Sequence, residues 1–288
     1  MYEAASVKSA LKCDETRVEE LLETVALPRG FRLFVFEKVE STNLIAKEMV
    51  DELYWKNASD TDVVVVWAKA QMAGKGRRGR VWVSPVGNLY CSLLIRPRCC
   101  AMKTAELSFV MALSVGRAVM DAMEMSSSSV RLSYKWPNDV LLDRCKVAGI
   151  LLETDIVGVA DVEWVVCGVG VNIQSFPTQT EYPAGSLWAA GCDCSVTPAF
   201  VLERLLLHFA YWLEEWRNCG FEPIRNAWKH NAQGIGQGIT VRLPNQTIYG
   251  RFVDVSDDGA LILQEDGRTE LRRIATGEVF FGSIKAEA

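Results

Sequence analysis

Residues 135–153 read Lys135-Trp136-Pro137-Asn138-Asp139-Val140-Leu141-Leu142-Asp143-Arg144-Cys145-Lys146-Val147-Ala148-Gly149-Ile150-Leu151-Leu152-Glu153. Two apolar runs, Leu141–Leu142 and Val147–Leu152, flank the polar pair Asp143-Arg144, the pattern of two strands joined by a hairpin turn. Upstream, Pro137 fixes its own φ and drives Trp136 toward an extended backbone, so a cation, an amide and a carboxylate project around a rigid proline. That arrangement fits a pre-organised site, and it fits equally a strand edge carrying surface charges.

Outward from this hairpin, Phe31–Phe36, Val63–Ala70, Leu89–Ile95 and Trp164–Val169 are short apolar runs, mostly rich in β-branched residues, and read as further strands. Helical spacing appears over Asn43–Leu53, Ala105–Met123 and Pro198–Asn218, the last with Leu202, Leu205, Leu206, Phe209, Leu213 and Trp216 on one stripe. Strands and helices mixed without strict alternation predict an α+β fold, a mixed or antiparallel sheet covered by helices. After helical patterns ending near Trp228, Gly234, Gly236 and Gly238 mark a boundary. Beyond it, Ile239–Leu243, Thr247–Val255, Ala260–Gln264 and Thr269–Ile274 are separated by hairpin-type turns and predict a small β-barrel. Before Phe31, Val18, Leu21, Leu22 and Val25 predict one short helix. The expected organisation is an N-terminal helical extension (1–30), a main domain (31–232) and a C-terminal barrel (233–288), with Ser126–Ser129 as a solvated loop.

Composition narrows the function. With 288 residues and 49% hydrophobic content the chain can bury one large core and a smaller one. A formal charge of -5 gives no global attraction to nucleic acid or anionic membranes, so any anion site must be local. The region before Phe31 is shorter than the roughly sixty residues of a winged helix, which argues against a DNA-binding module. With no apolar run of about 18 residues and no basic segment leading an apolar one at the N-terminus, neither a membrane span nor a signal peptide is expected, and the cytoplasm is the expected location. Nine cysteines without C-x2-C spacing read as reduced structural thiols, and two histidines, His208 and His230, leave little material for a histidine-rich metal site or a Ser-His-Asp triad.

Within Gln71-Met72-Ala73-Gly74-Lys75-Gly76-Arg77-Arg78-Gly79-Arg80-Val81-Trp82, the glycines satisfy G-x-G-x-x-G. The dinucleotide reading fails on context, because no helix pattern opens after Gly79 and the next acid is Glu106, too distant for a ribose contact. A mobile, glycine-rich cationic loop remains, suited to wrapping a polyanion with N–H groups and guanidinium forks, or simply solvated. Gly168-Val169-Gly170-Val171-Asn172-Ile173 ends a strand in two glycines and an amide, which fits backbone close to a ligand and equally a β-bulge. Glu40-Ser41-Thr42-Asn43 reads as a helix N-cap, a role compatible with ligand contact.

These segments occur in the order and approximate spacing of the biotin protein ligase family, which the chain resembles from residue 31 to about 282. The absence of a winged helix before them is similar to the members that ligate biotin without acting as repressors. The resemblance implies a class II synthetase-like catalytic core followed by an SH3-like barrel. It implies an enzyme that activates biotin with ATP and magnesium and passes it to a lysine of a biotin carboxyl carrier protein, as a monomer or homodimer, without a prosthetic group. Carried over residue by residue, it places Ser41, Thr42, Asn43, Gln71, Gly149 and Gly168 at biotin, and Lys75, Gly76 and Arg77 in the loop that closes over biotin and the adenylate. Lys146 and Arg77 would be catalytic, with Lys146 at the biotin carboxylate and the α-phosphate. Trp82, Lys135, Asn138, Asp139 and Asn172 would surround ATP, with magnesium near Asp139. Lys75 departs from the pattern, standing where arginine is usual. A lipoate or octanoate ligase and a non-catalytic biotin sensor are the competing readings.

Overall fold

The computed structural model describes residues 25–126, 129–154 and 162–281. The short helix expected from Val18, Leu21, Leu22 and Val25 lies outside them except for Val25, and so does part of the Ser126–Ser129 loop. Seven strands form one sheet: β1 (Phe31–Val39), β2 (Val63–Gln71), β3 (Leu89–Ile95), β4 (Leu132–Lys135), β5 (Asp139–Leu142), β6 (Cys145–Thr154) and β7 (Val165–Val171). Their order is β1-β2-β3-β7-β6-β5-β4, parallel only between β1 and β2. The sheet is therefore mixed, as expected.

Alternation along the central strands sends side chains to two faces. Val63, Val65, Trp67, Cys91, Leu93, Val165 and Cys167 join the main core, while Val64, Val66, Ala68, Leu94 and Val166 form a smaller one. Helix α1 (Thr42–Glu48) covers the smaller core with Ile45 and Ala46. It stops before the expected Leu53: a 3-10 turn over Met49–Asp51 follows, where Val50 and Asp51 are poor helix formers, and then a one-turn helix α2 (Leu53–Lys56). The main core lies under α4 (Leu107–Met123), which follows the one-turn α3 (Ala101–Thr104). Helix α4 is apolar almost all round because α5 (Pro198–Cys219) and α6 (Phe221–His230) cover the side turned from the sheet. Helix α5 begins as its sequence dictates, with Thr197 Oγ1 accepting from Phe200 N at 3.2 Å and Pro198 in the first turn.

The predicted hairpin is β5–β6, and Asp143 and Arg144 take φ of 46° and 69°, the left-handed pair that a two-residue turn requires. The Trp136–Pro137 bond is cis. The C-terminal strands β8 (Gly238–Arg242), β9 (Thr247–Val255), β10 (Leu261–Glu265), β11 (Leu271–Ile274) and β12 (Glu278–Phe281) form an antiparallel sheet, order β11-β10-β9-β8-β12, of the SH3-like kind. Trp136 Nε1 donates to Gly259 O across the junction at 2.9 Å, tying this sheet to the proline-bearing turn. No helix of the described residues is long and apolar enough to cross a membrane.

Candidate active site

One cavity of about 460 Å³ gathers every site residue expected from the sequence. Its walls include Ser41, Thr42 and Asn43 at the start of α1, Gln71 at the end of β2, and Lys75, Gly76, Arg77 and Trp82 from the basic loop. Opposite stand Lys135, Asn138 and Asp139 around the proline turn, Lys146 and Gly149 on β6, and Gly168 and Asn172 at the end of β7. Glu278, Val279 and Phe280 of β12 add a wall from the C-terminal sheet, and Tyr182 adds one from the loop after β7. These last four were not legible in the sequence, since nothing local marks a strand about a hundred residues away, or a tyrosine in a loop, as part of this cavity.

The centre of the cavity is charged. Asp139 is buried, 3.3 Å from Lys135 Nζ and 2.5 Å from Lys146 Nζ. Burial alone would push its carboxyl up; the two ammonium groups outweigh that and hold it below the usual aspartate range. Lys135 is pulled down by burial despite Asp139, and its ammonium lies 3.9 Å from the Tyr182 ring centroid and 5.6 Å from that of Phe280. Arg77 Nη1 donates to Asn138 Oδ1 and Gly277 O, each at 3.3 Å, and Nη2 to Thr276 Oγ1 at 3.2 Å. These acceptors are all neutral, and burial lowers its pKa. Arg77 thus brings positive charge that a bound anion can use, and Lys135 and Lys146, which share one carboxylate, leave a further net positive charge beside it.

The basic loop is folded on itself rather than extended into solvent. Gly76 N donates to Arg80 O at 2.7 Å and Trp82 N to Gly74 O at 2.9 Å. Arg80 pairs with Glu278 at 2.9 Å and Glu181 at 3.2 Å, so part of its charge is already answered from other elements. Trp82 lies across β6 and β7: a Cβ on Gly170 would collide with its indole. That close approach, rather than a bulge, accounts for the glycine. Asn172 has its amide committed, donating to Gly185 O at 3.0 Å and so fixing the loop that carries Tyr182.

The other end is neutral and tightly hydrogen-bonded. Ser41 is the N-cap of α1 as expected, yet its side chain makes no cap bond. Instead Gln71 Oε1 accepts from Thr42 N at 2.9 Å, which turns a helix-end N–H toward the cavity-lining amide. Gln71 Nε2 donates to Ser84 Oγ at 3.0 Å, and Ser84 Oγ donates to Trp82 O at 2.8 Å. Ser92 Oγ on β3, wholly buried, lies 2.7 Å from Thr42 Oγ1 and 2.6 Å from Asn43 Oδ1. Asn43 Nδ2 donates to Glu153 Oε2 at 2.6 Å, and Lys47 pairs with Glu153 Oε1 at 2.5 Å. Asn43 fits here because Gly168 has no side chain; a Cβ there would strike Asn43 Oδ1. Ser84, Ser92, Lys47 and Glu153 were missed as site-building residues, since a serine inside an apolar run gives no local signal.

A resident metal finds no cage: among the described residues no group of three or more His, Cys, Asp or Glu could hold one. Asp139 is a single carboxylate already shared by two lysines, which suits magnesium that arrives on a polyphosphate and keeps its own waters rather than a protein-bound ion.

The sequence matches the Biotin/lipoate A/B protein ligase family over residues 35–172 and the Biotin protein ligase C terminal domain over residues 234–282. It is 40% identical over 222 residues to a biotin–[acetyl-CoA-carboxylase] ligase of Paracoccus denitrificans, covering 75% of this chain and 90% of that protein. It is 30% identical over 282 residues to the bifunctional ligase/repressor BirA of Bacillus subtilis, covering 96% and 81%. Among solved structures it is similar to the biotin protein ligase of Aquifex aeolicus in complex with biotin and ATP, with a TM-score of 0.68 at 25% identity, covering 86% of this chain and 97% of that one. The cavity, its two-part fold and these likenesses agree: the chain belongs to the biotin/lipoate A/B protein ligase family.

Proposed function

We propose that the protein is a biotin protein ligase that makes biotinyl-5'-AMP from biotin and ATP and transfers the biotin to a lysine of a biotin carboxyl carrier protein. The observation that carries this reading is a single cavity with a cationic centre beside a neutral, hydrogen-bonding end. An acid bound with its polar head at Thr42 and Gln71 directs its carboxylate toward Lys146 and Arg77. The carboxylate oxygen attacks the α-phosphorus of ATP and pyrophosphate leaves. The carrier's amine then attacks the acyl carbon, AMP leaves, and the amine gives up a proton. Both anionic partners of the first step repel each other, so cations aimed at the transferring phosphate supply most of what catalysis needs. Magnesium enters with ATP as part of the substrate. Trp82, Lys135, Asn138, Asp139 and Asn172 form the nucleotide side in this reading; Lys75, Gly76 and Arg77 close over the intermediate and keep water from it.

The reading divides the chain into a catalytic domain, 31–232, and a C-terminal domain, 233–288, supported by the two family matches. It also carries a cytoplasmic location, where ATP and carrier meet. The test is exchange of labelled pyrophosphate into ATP in the presence of magnesium. Biotin should support exchange and lipoate should not; equal exchange with lipoate, or none with either acid, rejects the assignment.

A further inference from the structure

The chain leaves β7 at Asn172 and lays Glu181 and Tyr182 along the cavity before it returns. The base of this loop is closed by backbone bonds, Leu187 N to Asn172 O and Trp188 N to Ile173 O, each at 3.0 Å. Its returning end is fixed in the same way, by Lys146 N to Pro183 O at 2.8 Å and Gly185 N to Lys146 O at 2.9 Å. At the departing end the N–H groups turn to a side chain instead. Ile173 N, Gln174 N and Ser175 N all donate to Asn88 Oδ1, at 2.9, 2.9 and 3.2 Å.

Asn88 stands just before β3 and is 2% exposed. Its Nδ2 donates to Ser175 O at 2.9 Å and to Ser175 Oγ at 3.3 Å. The backbone fixes these directions: an N–H only donates and a carbonyl only accepts, so the amide can face the turn in one way. Three successive N–H groups that converge on a point form the kind of nest that gathers an anion, and here a neutral side-chain oxygen fills it. Without that oxygen three donors would lose their acceptor together, and the turn would open to find others.

We propose that Asn88, which does not line the cavity, is a positioning residue for the ATP-consuming step: it pins the three residues after Asn172 and so sets where the loop crosses the cationic side. The inference rests on the ligase reading above and adds to it a residue behind the site. The loop meets that side directly. The Tyr182 ring centroid lies 3.9 Å from Lys135 Nζ, and Glu181 pairs with Arg80 at 3.2 Å and Arg242 at 2.6 Å. Asn172, immediately before the turn, closes on Gly185 O at 3.0 Å. The side-chain hydrogen bonds of Thr42, Asn43 and Gln71 run to one another and to Ser84, Ser92 and Glu153 instead, so the neutral end is held independently of this loop.

The test is biotin-dependent pyrophosphate exchange by the full chain at varied ATP, beside calorimetric titration with biotin and a melting curve. Asn88→Leu keeps the bulk and removes the acceptor. The KM for ATP should rise about tenfold or more, the worth of a misplaced hydrogen bond or two, while biotin affinity stays as in wild type. Asn88→Asp presents an oxygen to the three N–H groups whether its carboxyl is ionised or protonated, and should keep the KM for ATP close to wild type. Where leucine unfolds the chain, Asn88→Ser is read in its place; its oxygen sits too near the backbone to reach all three donors, and a smaller rise in the same direction is expected. A purely structural role lowers the melting temperature and leaves the KM for ATP of the folded variants unchanged, which overturns the proposal. So does an aspartate variant as impaired as leucine or serine, or a loss of biotin affinity as large as the loss toward ATP. Wild type that shows no exchange with biotin overturns the ligase reading instead.

Discussion

The two ends of the cavity are held in opposite ways. At the centre, Lys135 and Lys146 are held by the one carboxylate of Asp139, which leaves a net positive charge, and the attraction tolerates small displacements because it falls off slowly with distance. At the neutral end, Thr42, Asn43, Gln71 and Ser92 depend on direction, and a rotation of one amide changes what a ligand meets. The charged centre is suited to a phosphate whose geometry changes during reaction. The neutral end is suited to a head group that stays put. Losses at the centre should therefore appear in rate and in folding stability, and losses at the neutral end in affinity.

The largest effect should come from Lys146→Ala, which removes a cation directed at the reacting phosphate while leaving the fold intact. Adenylation should fall about a hundred- to a thousandfold, measured as biotin-dependent pyrophosphate exchange. Wild-type turnover would move the catalytic charge elsewhere.

Asp139→Asn comes next, because it strands two ammonium groups that shared one carboxylate. Denaturant unfolding at pH 7 should show a loss of about 3 kcal/mol. The Asp139 carboxyl lies below its usual range, so the stability it contributes is present above the unfolded-state value and is lost as pH falls through the folded one. The gap between wild type and variant should thus narrow in acid. A gap that is the same at pH 7 and pH 3 would show that Asp139 acts by packing.

At the neutral end, Gly168→Ala pushes a methyl against Asn43, whose amide is tied on both sides. A destabilisation of about 1–2 kcal/mol is expected, with weaker biotin binding and little change in the rate of the bound complex. A drop in kcat alone would erase the distinction between the two ends.

The smallest effect belongs to Lys75, exposed on the loop, where lysine replaces the usual arginine. Lysine keeps the charge and loses the planar fork. Release of labelled biotinyl-adenylate should be slightly slower in Lys75→Arg and up to about fivefold faster in Lys75→Ala, the scale of a solvent-screened charge. Identical release in all three proteins would leave Lys75 a solvent-facing charge.

Most of the elements, and the residues expected at the site, could be read from local patterns in the chain. Leu89–Ile95 and Thr247–Val255 fall on the observed strands, and Asp143-Arg144 sits at the expected turn, because alternation, β-branching and turn chemistry are local properties. All the residues named for the site line one cavity, since each lay in an unusual combination of charge, glycine and amide. Strands β4 and β12 were missed: each has four residues and lives by pairing with a partner distant in sequence or across a turn. Which groups answer one another was not written in any local pattern. That Asp139 serves two lysines, that Glu278 reaches Arg80, and that Ser92 and Glu153 orient Asn43 follow from strand order and register. Hydrogen bonds and buried ion pairs act over a few ångströms in space, and the folding of the sheet, not spacing along the chain, sets those distances.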